Sequence, residues 1–304
     1  MNPGGTFIII PTYNESQSIV RLLEEINSVT KNSSVPVTIV VVDDGSGDNT
    51  VSQIKDLQLS SASLRIISLL YNIGHQSAIA QGILFAHSQN ATHAIIMDGD
   101  GEDDPNVIPK IFAMKEYDIV NVTRGKRSES FAFRISYSIY RFLFYMITNK
   151  KMNFGNYCMI NSKVIEILSV RTFIHFPAFL SKLQLKTTSI PADRRKRLGG
   201  NTKMSATNLV HHAFRSFAEY GEALLMVFLR LFIILFILFV ITIGYIVYLK
   251  VFTDYQILGW SSTFGIGLLT SALICVGFFV LGVLQLNHTN RNNFPPVALY
   301  KVVR

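Results

Sequence analysis

Leu231–Leu249 carries no charged residue, and this run limits the possible folds more than any other feature of the chain. At about 1.5 Å per residue it makes about 28 Å of helix, close to the ~30 Å of hydrocarbon in a bilayer. A lone segment in lipid satisfies its backbone only as a helix. Ser261–Asn287 is a second uncharged run, relieved mainly by small and hydroxyl residues. Two such runs in tandem predict a membrane hairpin rather than two buried core helices. The connection Lys250–Trp260 holds one Lys and one Asp, whereas Arg215 and Arg230 precede the first run and Arg291, Lys301 and Arg304 follow the second. By the positive-inside rule both ends are cytosolic and the short connection is outside. Tyr245, Tyr248, Tyr255 and Trp260 suit the outer interface. Small residues at Gly265, Gly267, Ser271, Ala272 and Gly277 offer a packing face for a homo-oligomer.

The remainder of the chain reads as a soluble domain. No basic segment precedes an early apolar stretch, and Phe7–Ile10 is too short for a leader, so this domain is expected in the cytosol. Cys158 and Cys275 are too few for a disulfide framework or a thiolate metal cluster. The net charge of +8 is local. One group is Arg194, Arg195, Lys196, Arg197 and Lys203; another is Arg124, Lys126, Arg127 and Arg134. Such patches suit nucleic acid in general. Beside a membrane they point instead to anionic headgroups and lipid phosphates, and no nucleic-acid partner is expected.

Within the soluble part, apolar strands alternate with helical spacing. Thr6–Ile10, Val37–Val42, Leu64–Leu69 and His93–Met97 read as strands. Ser16–Val29, Asn49–Leu57 and Gln76–His87 read as the helices between them. Continuous apolar strands alternating with helices predict an α/β fold with a mostly parallel sheet covered on both faces. Ligands of such sheets bind beyond the carboxyl ends of the strands. Each polar motif of this region falls at one of those ends. Further on, Gly155–Asn161 and Leu185–Pro191 read as strands and Ser162–Ser169 as a helix. Phe131–Ile147, rich in Phe and Tyr with Arg134 and Arg141 interleaved, reads as a helix in the membrane interface.

The chemistry concentrates at Asp98-Gly99-Asp100-Gly101-Glu102. Alternate residues of an extended turn project to one side, so the three carboxylates can converge. A hard cation, Mg²⁺ or Mn²⁺, relieves their repulsion and is often shared with substrate phosphates. Asp98, Asp100 and Glu102 are therefore candidate metal ligands. A plain acidic turn leading into the helix that starts near Pro105 is the alternative.

Taken together, Pro11-Thr12-Tyr13-Asn14-Glu15, Asp43-Asp44-Gly45-Ser46, Asn72-x-Gly74 and Asp98-Gly99-Asp100 resemble the family 2 nucleotide-sugar glycosyltransferases in order and spacing. Arg197-Leu-Gly-Gly-Asn-Thr-Lys203 looks like the Arg-x-x-Gly-x-Ser-Lys element of their polyprenyl-phosphate branch, which includes dolichyl-phosphate mannose synthases and bactoprenol glucosyltransferases. The resemblance implies a GT-A, Rossmann-like catalytic domain over 1–203. A juxtamembrane amphipathic helix over 204–228, two spans over 229–289 and a cytosolic tail over 290–304 would follow. It implies a bacterial-type inner membrane protein that moves a sugar from a UDP- or GDP-linked donor to a polyprenyl phosphate. Pro11, Tyr13, Asn14, Glu15, Asp43, Asp44, Asp98, Gly99 and Asp100 would bind the donor. Arg124, Arg127, Arg197 and Lys203 would hold the acceptor phosphate. Asp98, Asp100, Arg197 and Lys203 form the expected catalytic set. Tyr300 in the tail also fits.

Two departures stand out. Glu102 occupies a position where the branch commonly has Gln, and Asn156 one where it commonly has Asp. A neutral amide is no base near pH 7. A phosphate acceptor, whose second pKa is about 6, is already ionised and needs none. An inverting single displacement follows. A transferase acting on a saccharide or lipid hydroxyl, which needs a base, is one alternative, and a non-catalytic membrane scaffold is another. His75, beside Gly74, reads as a helix-start residue outside the site.

Overall fold

The computed structural model describes residues 4–124, 131–150, 154–199, 213–253, 259–291 and 296–304. Lys203, Arg127 and residues 204–212 of the expected 204–228 helix lie outside the described residues. The chain forms two compact units: residues 1–138, 151–219 and 294–304 make the first, and 139–150 with 220–293 the second.

The first unit is built on strands β1 (Thr6–Thr12), β2 (Val37–Asp43), β3 (Ser63–Leu69) and β4 (His93–Ile96). They lie parallel in the order β3-β2-β1-β4. Side chains alternate across this sheet. Ile8, Ile10, Ile39 and Val41 meet helix α1 (Ile19–Val29) on one face, through its buried stripe Ile19, Leu22, Leu23 and Ile26. Phe7, Ile9, Val40 and Val42 meet α3 (His75–Ser88) on the other. Helix α2 (Thr50–Ile54) is a single short turn between β2 and β3. The small residues of α3 are used for close approach: a Cβ at Gly82 would stand 2.3 Å from Ile9 Cγ2.

The second half makes the sheet mixed. After a short 3-10 turn at Pro105–Val107 and α4 (Ile108–Phe112) come β5 (Ile119–Arg124), α5 (Phe131–Thr148) and β6 (Phe154–Asn161). Strand β6 runs antiparallel to both β4 and β5, and β7 (Thr187–Ala192) pairs parallel with β5. Helices α6 (Ser162–Val170) and α7 (Phe176–Lys182) cover the same face as α3. Buried Glu219 draws residues 213–219 onto this face: its Oε2 accepts the N–H of Ile174 at 2.7 Å and of His175 at 3.2 Å.

The chain end returns to the first unit. Strand β8 (Tyr300–Val302) adds antiparallel to the outer edge of β3. Gln81 on α3 clamps the approach by donating to Val297 O (2.9 Å) and accepting from Leu299 N–H (2.8 Å). The segment set apart as a tail in the sequence is thus a piece of the sheet.

The second unit holds α8 (Gly221–Phe252), α9 (Trp260–Arg291) and the latter half of α5. Gly221–Phe252 and Thr263–Leu286 are long and apolar enough to cross a membrane, and their apolar windows are 0% and 6% buried. Helix α8 begins well before the uncharged run, because Glu222 and Arg230 lie on its first turns without breaking it. The two helices approach closely where Leu225 meets Gly282; a Cβ there would stand 2.0 Å from Leu225 Cδ2. Of the small residues, Ala272 is buried and Gly265 faces Ile243 within the hairpin, whereas Gly267 and Gly277 meet nothing within 4 Å. Along α5, Ile139, Phe142, Leu143, Tyr145 and Met146 are exposed while Phe144 packs edge-on to Tyr220 at 5.4 Å. Exposed apolar side chains in the unit that carries the long apolar helices suit the interface reading of α5.

Candidate active site

The strand-end motifs converge because their strands are neighbours. The loop after β1 is sewn to the loop after β2. Asn14 N–H donates to Ser46 Oγ at 2.9 Å, Asn14 Oδ1 accepts from Gly47 N–H at 2.8 Å, and Glu15 N–H donates to Thr50 Oγ1 at 2.9 Å. Asn14 adopts φ +55°, a region Asn tolerates better than most residues. Tyr13 stands 44% exposed at the mouth of this loop. Pro11 is buried within β1, opposite Val42.

Gly99 passes so close to β1 that a Cβ would meet Thr12 Cγ2 at 2.8 Å and Pro11 O at 3.1 Å. Ser18 Oγ, with its single proton, stands 3.0 Å from both Gly99 O and Glu15 Oε2, tying the acidic turn to the start of α1.

Asp43 and Asp44 are both buried and engaged by the protein. Asp43 accepts from Ser46 N–H at 3.2 Å and Ser68 Oγ at 3.3 Å. Asp44 accepts the N–H groups of Ile73 (2.7 Å) and Gly74 (2.9 Å), and so shapes the turn that opens α3. Burial raises the Asp44 pKa against those two bonds, and Asp43 adds to the rise.

The acidic turn lies under the basic loop. Arg195 N–H donates to Glu102 O at 2.9 Å, and Leu198 N–H to Asp100 O at 3.1 Å. Gly101, at φ +77°, leaves the space that Leu198 fills; a Cβ would meet Leu198 Cγ at 2.4 Å. Arg194 binds Asp98 Oδ2 at 3.2 Å, closes on Glu102 Oε2, and stands 3.7 Å from Asp103 Oδ1. Arg197 binds Glu15 Oε1 at 2.6 Å and reaches Asp100 Oδ2 at 3.8 Å. Arg195 turns away to Glu25 at 2.7 Å and Asp104 at 3.8 Å. The Nε groups of all three arginines are buried without an acceptor at hydrogen-bond distance; those of Arg194 and Arg195 stand 3.7 Å from Asp103 and 3.8 Å from Asp104.

Burial raises the pKa of Asp100, with Asp98 adding to it. Burial pushes Asp103 up to about 7, again with Asp98 adding and Arg194 opposing. Asp103 Oδ2 accepts the N–H of Asp98 at 3.0 Å and so fixes the turn from beneath.

Of the expected residues, the structure brings together Glu15, Asp98, Asp100, Glu102 and Arg197. Arg124 is the last residue of β5. Several functional candidates were not read as such. In the sequence Arg194 is one member of a charge run, and Asp103 is one residue of the acidic run before Pro105. His75, set outside the site, has Nε2 3.3 Å from Asp98 Oδ1 and 2.9 Å from Asn156 Nδ2. Asn156 Nδ2 also reaches Asp98 Oδ1 at 3.4 Å. Asn156 in place of an acid was the one available signal, since it marked where β6 meets the site.

Residues 7–167, more than half of the chain, match glycosyl transferase family 2. The chain belongs to this family. It is 29% identical over 213 residues to an undecaprenyl-phosphate 4-deoxy-4-formamido-L-arabinose transferase of Serratia proteamaculans (strain 568), covering 67% of this chain and 64% of that protein. The chain thus spans somewhat less than two-thirds of that relative's length. A Bacillus subtilis (strain 168) protein named uncharacterized glycosyltransferase YkcC is 28% identical over 298 residues, covering 91% of this chain and 86% of its own. Among solved structures, glucosyl-3-phosphoglycerate synthase from Mycobacterium tuberculosis, in complex with Mn²⁺, UDP-glucose and phosphoglyceric acid, superposes with TM-score 0.54 at 14% identity over 72% of this chain and 79% of its own. Mannosyl-3-phosphoglycerate synthase from Rubrobacter xylanophilus gives TM-score 0.54 at 13% identity over 72% of this chain and 74% of its own. This family 2 glycosyltransferase therefore has the GT-A, Rossmann-like fold, followed by two candidate membrane helices.

Oxygen-only ligands in a partly exposed, mutually repelling acidic cluster suit a hard cation such as Mg²⁺ or Mn²⁺. Among the described residues, however, no three His, Cys, Asp or Glu side chains close on one point. Arg194 lies between the carboxylates that would have to do so.

Proposed function

We propose that this glycosyltransferase moves a sugar from a UDP- or GDP-linked donor to a polyprenyl phosphate at the cytosolic membrane face, with inversion at the anomeric carbon. The observation that carries this reading is the basic loop pinned on the acidic turn. The guanidinium groups of Arg194 and Arg197 stand beside the carboxylates of a nucleotide-sugar fold, in a chain that also carries two long apolar helices. The similarity to the undecaprenyl-phosphate transferase of Serratia supports the acceptor class.

Glu15 and the loop Pro11–Asn14 line the donor side together with Gly99 and Asp100, and Asp98 faces the diphosphate. Asp43 and Asp44 act by holding the loops around the nucleotide. Arg197, with Lys203, Arg124 and Arg127, offsets repulsion between the donor diphosphate and the acceptor phosphate. Arginine suits this because its planar fork matches phosphate oxygens. A bound Mg²⁺ or Mn²⁺, held by Asp98, Asp100 and Glu102, would supply charge for the departing diphosphate. An ionised phosphate oxygen attacks the anomeric carbon, the glycosidic bond to the diphosphate breaks, and the nucleoside diphosphate leaves with the electron pair. No proton need be removed from the acceptor.

The domain boundaries proposed are 1–203 for catalysis, 204–228 at the membrane surface and 229–289 across the bilayer, with 290–304 cytosolic. Residues 213–219 and 296–304 belong to one unit. The chain between them must then cross the membrane an even number of times. The basic flanks select the cytosol for both ends.

A second reading, transfer to a neutral hydroxyl, draws on the exposed imidazole of His75 as its base, with Nε2 3.3 Å from Asp98 Oδ1 and 2.9 Å from Asn156 Nδ2. The deciding experiment incubates full-length protein in membranes with a panel of radiolabelled nucleotide sugars and undecaprenyl phosphate. Label moving into organic solvent only when the lipid phosphate is added supports the proposal. Label moving to a dephosphorylated polyprenol instead favours the second reading.

A further inference from the structure

Asp98, Asp100, Glu102, Asp103 and Asp104 fall within seven consecutive residues, and the charge that balances them comes from the chain itself. Arg194 is the most deeply involved. Its side chain is 18% exposed and meets Asp98, Glu102 and Asp103 at once. The four carboxylates at 98, 100, 102 and 103 outweigh burial, which acts the other way, and stabilise the charged guanidinium.

A divalent ion and this guanidinium exclude each other. Magnesium requires oxygens about 2.0–2.1 Å from a single point. A planar guanidinium instead spreads its acceptors around its edges. One oxygen of each of Asp98 and Glu102 is held by Arg194, and Asp98 Oδ1 meets His75 and Asn156 instead; no three ligands converge among the described residues.

The backbone of the loop does not have to leave for the two to exchange. Arg195 and Leu198 anchor it through main-chain bonds, and Leu198 is seated over Gly101. Only the side chain of Arg194 has to turn. Its Nε already lacks a hydrogen-bond acceptor.

We propose that Arg194 is the resting cation of this site. A divalent ion arriving with a nucleoside diphosphate displaces the guanidinium from Asp98 and Glu102, and the guanidinium transfers to the diphosphate. This rests on the donor assignment made above. Metal and nucleotide then bind with positive coupling, because each supplies what the other's arrival releases. Such coupling is reciprocal and commonly amounts to about 5–150-fold.

The test uses full-length protein in nanodiscs at pH 8, with Mn²⁺ affinity read by electron paramagnetic resonance, without nucleotide and then with UDP or GDP. Arg194→Met should bind Mn²⁺ about tenfold tighter than wild type when no nucleotide is present, on the scale of that coupling. The gain from adding nucleotide should shrink by a similar factor. Arg194→Lys, which keeps a point charge but not the fork, should fall between. Arg195→Met, which leaves the Asp98–Glu102 pair untouched, should match wild type. If Arg194→Met melts far below wild type, Arg194→Lys carries the comparison. Equal Mn²⁺ affinity in wild type and the Arg194 variants overturns the proposal, as does a wild-type protein that takes no Mn²⁺ even with nucleotide. A protein that shows the expected Mn²⁺ behaviour yet moves no label into lipid refutes the transfer reading and leaves this inference standing.

Discussion

Gln76 Oε1 accepts the backbone N–H of Phe176 over 2.6 Å, and this bond sets the direction of the side-chain amides between α3 and the acidic turn. A backbone N–H can only donate. Gln76 must therefore present its carbonyl to Phe176 and its NH₂ to Asn156 Oδ1, at 3.3 Å. Asn156 then turns its own NH₂ toward His75 Nε2 and Asp98 Oδ1. The amide at position 156 is thus a link between the α7 start and Asp98 rather than a weakened base.

Gln76→Leu removes the acceptor of the buried Phe176 N–H, a loss of about 1–3 kcal/mol. Each kcal/mol lowers the melting temperature by about 2–4 °C in a domain of this size. Gln76→Glu keeps the acceptor for Phe176 and should melt closer to wild type. Thermal melts in detergent check this, and identical melting of the two variants would reject the orienting role.

Asp100→Asn leaves the fold of the turn intact, because the amide oxygen can still accept from Glu102 N–H. Transfer should nevertheless fall on the order of a hundredfold or more, the scale of losing one preorganised charge. Turnover that persists in excess chelator, in the variant or in wild type, would dismiss the metal role.

Arg197→Ala removes the cation shared by Glu15 and Asp100. Transfer should drop by a similar factor while flotation with liposomes stays unchanged. Loss of flotation alone would make Arg197 a lipid-contact residue and not a phosphate clamp.

Gln81→Ala deletes two bonds that hold the chain end to α3, leaving Leu299 N–H without its acceptor. A penalty of about 1–3 kcal/mol is expected at β8. Limited proteolysis should trim the carboxyl terminus of the variant before that of wild type.

Asp118 accepts from Lys186 N–H at 2.9 Å and from Asn161 Nδ2 at 2.8 Å, and these bonds lower its pKa. A depressed folded-state pKa contributes stability that is present above the unfolded value, near 3.9, and lost as pH falls through the folded value. Asp118→Asn should therefore be less stable than wild type at neutral pH and approach it in acid. Parallel denaturation curves at pH 7 and pH 3 provide the comparison.

Local patterns made much of this molecule legible before any coordinates. Alternating apolar runs marked β1 to β4, because a strand buried on both faces cannot carry charge. The charge-free run at Leu231–Leu249 marked α8 as a candidate membrane helix. Asp98 and Asp100 stood out because carboxylates at alternate positions beyond a buried strand are costly without a cation. Other features had no local signature. Arg194 meets Glu102 across 92 residues of sequence and Asp98 across 96, and within its own charge run nothing separates it from Arg195. Tyr300–Val302 is too short to show a period, and its place beside β3 depends on Gln81, 218 residues earlier than Leu299. Asp44, expected to bind the donor, also holds the turn at Ile73 and Gly74, a role that nothing local in the sequence signals. Element type was set by the sequence, through the spacing of apolar side chains. Only tertiary structure decided which charges meet, because ion pairing depends on distance in space and not on distance along the chain.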